Sequence, residues 1–535
     1  MSDPPTVAYI WSKTLQEAAD QLPYNLGRST LVHDLIRSLD LLDVISGCPS
    51  KTDERGEEDI DRNEDEEAAM HLRSRSIEKG KERMRSRARV VEPDMSLGTA
   101  ESLRRYHDSD YSDDDQGDEA EASGSDAGSP SSAEYRPKKR RREVHGLEHG
   151  PPRRHDAEVL SQDCPPFPLL RDYALQLASA TQTACRLVAS GRADAAVCWD
   201  GGRHHALRSR ASGFCYVADA VLGIMLLTKE GRVLDEAVPR GAGSSLVQNG
   251  QPNGEDEPEH ENEHGNAHKD EDKEADQHCN PDSTSTPETG RRARARARAR
   301  VMYLDLDLHY GDGVAQAFLS PTHYSSPLPP GRKPPRPPQV LTLSIHHSSP
   351  IFFPPTTPHS SLPSTDTPNP FTLSIPLAAY PSASTYAAVF PSVNAIREAY
   401  QPDYVVLQLG ADGLPRDRVG QYGAWSVDGP GGMLWVVDKV IEWGVPMVVL
   451  GGGGYNHPNT ARAWARVTAK LLGEELTPDT EVPHHDHFAE YAPSFTLEVS
   501  ESGAKDENKP QDIDNINETF RSIAARIGEI VAAHA

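Results

Sequence analysis

Four short segments hold residues whose types and spacing could do chemistry. The sharpest is Asp305-Leu-Asp307-Leu-His309-Tyr-Gly-Asp312-Gly313. In an extended strand, Asp305, Asp307 and His309 would share one face, because side chains alternate with period two. Two carboxylates and an imidazole on a buried face need a partner, and a divalent metal is the obvious one. A hydrogen-bonded polar strand end is the plainer alternative. The second segment is Gly201-Gly-Arg-His204-His205, whose histidines could be acid/base groups, metal ligands or loop residues. Asp305 and Asp312 could orient them, since a carboxylate on one ring nitrogen fixes the tautomer and raises basicity.

The third segment is Gln408-Leu-Gly-Ala-Asp412. Asp412 could cap a helix, or serve as a third metal ligand beside Asp307 and His309. Three protein ligands plus water is the arrangement of catalytic rather than structural zinc. The fourth, Leu450-Gly451-Gly-Gly-Gly454-Tyr455-Asn456, fails as a phosphate loop, because no Lys-Ser/Thr follows and the glycine spacing is wrong. The glycines instead allow turns that project Tyr455 into a cleft, where a phenol could polarise a carbonyl. Tyr455 as simple packing is the alternative.

These segments must be positioned by something. Ala193–Asp200, Val301–Asp307, Val340–Ile345, Tyr404–Leu409 and Val445–Leu450 are short apolar runs suited to parallel strands buried on both faces. Helical patterns lie between them at Leu170–Ala189, Tyr386–Tyr400, Gly432–Trp443 and Thr460–Leu472. A last amphipathic helix is marked by Ile513, Ile516, Phe520, Ile523, Ile527 and Ile530. The alternation predicts a doubly wound α/β sheet, which binds ligands outside the carboxyl ends of its strands.

Between the patterned parts lie blocks that cannot bury a core: acidic Asp53–Glu67, basic Arg73–Arg89, Asp/Ser/Gly-rich Asp108–Ser132, acidic Gly250–Gly290, the Arg/Ala alternation Arg291–Arg300 and proline-rich Pro327–Pro338. They read as disordered insertions at about 50–88, 112–144, 236–300 and 325–338 of a single domain spanning 6–535. The 535 residues carry 55 Lys+Arg against 81 Asp+Glu, a net charge of −26, which argues against general nucleic-acid coating. No apolar run is long enough to span a membrane, and the opening MSDPPTVAYIWSK lacks the features of a secretory signal. Six scattered cysteines without a CxxC pair suit reduced intracellular thiols. The cluster Arg136-Pro-Lys-Lys-Arg-Arg-Arg142 suits nuclear import.

Together the segments resemble the class I zinc-dependent histone deacetylases. The resemblance rests on GGRHHALRSRASGFCYVADAVLGI, DLDLHYGDGVAQAF, SIHHSSPIFFP, QLGAD and LGGGGYNHPNTARAW. It extends over roughly 6–47, 90–111, 163–235, 301–324 and 339–535. It implies the arginase/deacetylase fold, a parallel eight-stranded sheet between helical layers, and hydrolysis of Nε-acetyl-lysine to lysine and acetate. By the same resemblance, Asp307, His309 and Asp412 hold Zn²⁺, with Fe²⁺ as the alternative. His205, oriented by Asp312, is general base then acid; His204, paired with Asp305, is its electrostatic neighbour; Tyr455 donates to the substrate carbonyl. Asp163 anchors the peptide, and Gly213, Phe214 and Phe353 wall the lysine channel. A structural K⁺ is implied near Asp305, Asp307, His309, Ser344 and Ile345.

The chain differs from the family pattern at Tyr310, Arg203, Gly413 and Arg416, none a catalytic position. Acetylated histone tails or other acetylated proteins are the expected partners, within corepressor or chromatin complexes, without sequence-specific nucleic acid or membrane binding. The expected role is transcriptional repression in the nucleus, with the cytoplasm as a second compartment. An acetylpolyamine or small-amide deacetylase, or a catalytically weak chromatin scaffold, are the other readings.

Overall fold

The computed structural model of the protein describes residues 5–43, 86–108, 163–233, 298–324 and 331–534. The basic cluster Arg136–Arg142 and most of the expected insertions lie outside the described residues.

Eight strands form one all-parallel sheet: β1 (Val7–Ile10), β2 (Arg89–Val91), β3 (Ala195–Cys198), β4 (Val301–Asp305), β5 (Val340–His347), β6 (Thr372–Leu377), β7 (Tyr404–Gln408) and β8 (Met447–Leu450). Their order across the sheet is β2-β1-β3-β8-β7-β4-β5-β6. The described helices are α1 (Lys13–Ala19), α2 (Arg28–Ser38), α3 (Ala100–Leu103), α4 (Leu170–Ala189), α5 (Asp219–Glu230), α6 (Asp312–Ala317), α7 (Ala383–Tyr400), α8 (Met433–Ile441), α9 (His457–Leu471) and α10 (Pro510–Ala532).

Alternation within the strands decides which layer each residue joins. Tyr9, Val197, Met302, Leu304, Leu343 and Val449 face one core, closed by α2 and α7 to α10. Ala8, Ala196, Cys198, Tyr303, Val406 and Val448 face the other, closed by α1, α4, α5 and α6. Both faces are therefore covered, which is why the strands read as continuous apolar runs. The doubly wound parallel architecture is the expected one, and the Ile/Phe stripe of α10 is buried as its spacing requires.

Three expectations need correction. The run Val301–Asp307 stays a strand only to Asp305. Asp307 and His309 lie in the loop beyond, so period-two alternation does not bring them together. Asp412 caps no helix; its Oδ1 accepts the backbone N–H of Leu308 at 3.0 Å. The insertions placed at 236–300 and 325–338 reach too far. Ala299 is buried and the Arg300 backbone N–H donates to Asp403 Oδ2 at 2.7 Å. The Arg336 and Pro338 carbonyls accept from Tyr324 and Tyr400 at 2.9 and 3.0 Å. Among the described residues no helix is long and apolar enough to cross a membrane. The four described cysteines, Cys164, Cys185, Cys198 and Cys215, are free and buried.

Candidate metal centre at the carboxyl edge of the sheet

The loops after β3, β4, β7 and β8 converge at the carboxyl ends of adjacent strands, where an open α/β sheet places its ligands. The loop after β3 is held by one buried carboxylate at the start of α5. Asp219 accepts the backbone N–H groups of Gly202 and Arg203 at 2.9 and 2.8 Å and the Thr181 hydroxyl at 2.5 Å. That fixes His204 and His205, whose rings lie 4.0 Å apart.

Each histidine then meets its own carboxylate. His204 Nδ1 lies 2.9 Å from Asp305 Oδ2, and His205 Nδ1 lies 2.7 Å from Asp312 Oδ1. An ionised carboxylate only accepts, so both rings donate from Nδ1 and turn Nε2 toward the cleft. Their electrostatics diverge. Burial opposes a charge on His204, but Asp307 and Asp305 outweigh it and carry its pKa up to about 9. Burial and the neighbouring His204 push His205 down to about 4, against the pull of Asp312. Two adjacent imidazoles are thereby shifted in opposite directions, the pattern that separates acid and base roles.

Asp307, His309 and Asp412 each present a ligand atom within 4.8 Å of the others, and all three are buried. His309 Nδ1 lies 2.6 Å from Asp412 Oδ2 and 3.4 Å from Asp307 Oδ1. Burial and the Asp307 charge push Asp412 up to about 7. Burial also resists charge on His309, yet Asp307 and Asp412 carry it up to about 10. Asp305, Asp307 and Asp412 together place three carboxylates in one buried site whose facing bases are imidazoles. One nitrogen, two carboxylates and surplus negative charge fit a divalent cation of the zinc type.

The glycine run after β8 forms the other wall. Gly452 and Gly454 have φ of +126° and +133°, which side-chain-bearing residues rarely adopt. The Gly453 N–H donates to Asp307 Oδ2 at 2.8 Å, so the loop also orients a ligand. Tyr455 follows, buried, its phenol raised by burial and by Asp412 and Asp307, hence protonated. At the mouth, Phe214 stacks on Tyr24 with ring centres 3.8 Å apart and meets Tyr455 edge-on at 5.7 Å. Phe353 stands edge-on to His205 at 4.9 Å. Gly213 lies between them; a Cβ there would come within 2.5 Å of the His205 ring and 2.8 Å of Phe353. Asp163 Oδ2 accepts the Gly213 N–H at 2.7 Å, placing that carboxylate at the rim. Ser344 pairs with Asp305 in the β4–β5 register, and Ile345 follows.

Three contributors escaped the sequence reading. Asp417 Oδ2 accepts the backbone N–H groups of Tyr455 and Asn456 at 2.5 and 3.1 Å, and Oδ1 those of Val419 and Gly420. Arg28, at the start of α2, donates to the carbonyls of Gly452 and Gly454 at 2.9 and 3.2 Å. Phe352 stacks on His309 with ring centres 4.5 Å apart. Asp417 and Arg28 act on backbone atoms, which leaves no spacing signature; Phe352 stood beside Phe353 in a run that gave no reason to separate them.

Fold and donor set define a candidate metal site at the carboxyl edge of a parallel α/β sheet. Residues 69–236 and 290–471 match the histone deacetylase domain. The chain is 30% identical over 368 residues to histone deacetylase 8 of Danio rerio, covering 68% of this chain and 72% of that one. It is 30% identical over 370 residues to histone deacetylase 8 of Xenopus laevis, covering 69% and 86%. It is 29% identical over 363 residues to histone deacetylase 6 of Arabidopsis thaliana, covering 68% and 58%. The chain belongs to the histone deacetylase family and is a deacetylase, a hydrolase, whose family is zinc-dependent in general.

Proposed function

We propose that the protein is a class I zinc-dependent lysine deacetylase that removes acetyl groups from histone tails or other proteins in the nucleus, within corepressor or chromatin complexes, and so represses transcription. The observation that carries it is the buried Asp307–His309–Asp412 triad set beside two histidines, each paired with its own carboxylate, and the buried Tyr455 phenol. The catalytic unit is 6–535 as one domain interrupted by insertions.

Asp307, His309 and Asp412 would hold Zn²⁺, with Fe²⁺ as the alternative. Such an ion supplies Lewis acidity toward an amide carbonyl and lowers the pKa of a bound water. The chain does the rest. His205 is neutral, with Nδ1–H on Asp312, so Nε2 can take a proton from the attacking water and pass it to the leaving amine nitrogen. His204 keeps its proton through Asp305 and adds positive charge beside the developing oxyanion. Tyr455 donates its phenolic hydrogen to the substrate carbonyl oxygen. The C–N bond breaks, acetate carries the oxygen of water, and the amine leaves protonated.

Gly213, Phe214 and Phe353 would wall the channel, which suits neutral acetyl-lysine better than the charged product. Asp163 would anchor the substrate backbone at the rim. A monovalent cation, K⁺, would sit among Asp305, Asp307, His309, Ser344 and Ile345, where buried carboxylates need balancing.

The test is turnover of acetylated histone peptides with and without chelator. Activity on acetylpolyamines but not on peptides would favour the small-amide reading. Binding to chromatin partners without any turnover would favour a scaffold.

A further inference from the structure

A second cluster with metal-ligand chemistry shares no residue with the cleft. Asp34 projects from α2, and His485 and His487 from the segment entering the 3₁₀ turn Phe488–Tyr491. One ligand atom from each lies within 4.8 Å of the others. Among the described residues, this group and the Asp307–His309–Asp412 triad are the two that meet that geometry.

The local chemistry resembles that of the triad. His487 Nδ1 lies 2.9 Å from Asp34 Oδ2, the same pairing that His309 Nδ1 makes with Asp412 Oδ2 at 2.6 Å. A proton can bridge such a pair, and so can a transition-metal ion. His485 packs edge-on against Tyr491 with ring centres 5.7 Å apart. Its Nδ1 receives only a long contact, 3.3 Å, from the His487 backbone N–H. Its Nε2 is buried with no hydrogen-bond partner among the described residues. A buried ring nitrogen without a partner is a cost that a ligand bond removes. Asp34 Oδ1 also accepts from Arg37 at 3.0 Å, which leaves Oδ2 on the side of the histidines. Asp486 and Glu490, on the same segment, add negative charge around the cluster.

The two elements are also joined independently of these side chains. The Tyr491 hydroxyl donates to the Leu31 carbonyl on α2 at 3.2 Å, so the ligands are held near one another by the fold. Two imidazoles and one carboxylate, with room for water, favour zinc over magnesium or calcium, which prefer oxygen donors.

We propose that Asp34, His485 and His487 form a second zinc site that staples α2 to the C-terminal segment. The site adjoins the cleft indirectly. His487 lines a cavity of about 610 Å³ that reaches Tyr455, and α2 begins at Arg28, which grips the glycine loop.

Zinc content of the full chain, equilibrated against buffered Zn²⁺ and then desalted, tests it. Because the chain holds other histidines, the difference between wild type and variant is the reading. His487→Ala and Asp34→Asn should each bind one equivalent fewer than wild type. Asp307→Ala should lose the triad's equivalent and keep this one. Added Zn²⁺ should raise the wild-type Tm by about 2–5 °C more than that of His487→Ala, which keeps the triad and its share of the response. Unchanged stoichiometry in His487→Ala or in Asp34→Asn overturns the site. An equal Tm response in wild type and His487→Ala overturns the staple.

Discussion

His205 Nδ1 lies 2.7 Å from Oδ1 of Asp312, the first residue of α6. The pair ties the ring to the element that follows Asp307 and His309, so the base and two of the three candidate ligands are oriented by one stretch of chain. His205→Ala should keep its metal and lose about 10²–10⁴ in kcat, the range for a positioned acid/base group. Asp312→Asn should lose less, about 10–100-fold, because it frees the ring without removing it. Near-normal kcat in His205→Ala, with metal content confirmed, would assign the base elsewhere.

Asp307→Ala and Asp412→Ala should each bind no metal at the triad, whereas Tyr455→Phe should bind it normally. Loss of one donor to a developing oxyanion costs about 10²–10³ in kcat. Metal content and single-turnover rates separate the effects; a Tyr455→Phe enzyme with ordinary kcat makes Tyr455 a packing residue.

Dialysis against a chelator should abolish turnover, and Zn²⁺ or Fe²⁺ should restore it, since each ligand set needs its ion. Full activity in metal-free protein would contradict the hydrolytic mechanism outright.

Acid should destabilise the fold through His107. Its Nδ1 lies 3.2 Å from the Arg208 carbonyl, and its Nε2 accepts the Ala218 N–H at 3.1 Å, so the neutral ring is the one that fits. Burial lowers its pKa from 6.5 to about 4 despite the hydrogen bonds. Between those values the unfolded chain holds the extra proton and the folded one does not. Stability therefore falls as pH falls from about 6.5 to about 4 and is level above, by at most roughly 3 kcal/mol. Denaturant titrations of wild type and His107→Gln across this window should show a shallower dependence in the variant; identical slopes would remove His107 from the explanation.

Replacing Gly250–Gly290 with a short Gly/Ser linker should leave deacetylase activity within a few-fold of wild type. Loop closure costs only logarithmically in length, and the described chain takes hold again at Arg298, with Ala299 buried. A replacement that stops folding or catalysis would make the segment part of the working enzyme. The four histidines within it, His260, His264, His268 and His278, make zinc content a useful second reading.

Much of the site was legible because its chemistry is carried by side chains in short, dense runs. Asp305 to Asp312 and Gly451 to Tyr455 announce a buried charged edge and a backbone that must turn tightly. The helix at Leu170–Ala189 was legible to the residue, since twenty positions repeat the apolar stripe. Strands β1, β2 and β6 were not. β1 and β2 have four and three residues, too few for a periodicity, and Thr372–Leu377 carries Ser374 and Pro376. Register with the neighbouring strand makes them strands, which no local pattern encodes. The strand argument for Asp307 and His309 reached the right grouping by the wrong geometry: backbone N–H groups of Leu308, His309 and Gly453 hold the ligand carboxylates in a loop.

Because every strand runs the same way, the sheet has a working edge and an idle one. The strands all start on the idle edge and end on the working one, where the loops carrying Asp307, Asp412 and Tyr455 gather. The working edge is different. There Asp108, whose N–H meets the Arg208 carbonyl, and Asp163, which holds Gly213, flank the loop after β3. Natural variation along the idle edge is free to alter the surface while the reaction stays constant. Changes beside Asp163 act at the doorway, so that is where relatives of this enzyme can diverge in what they admit.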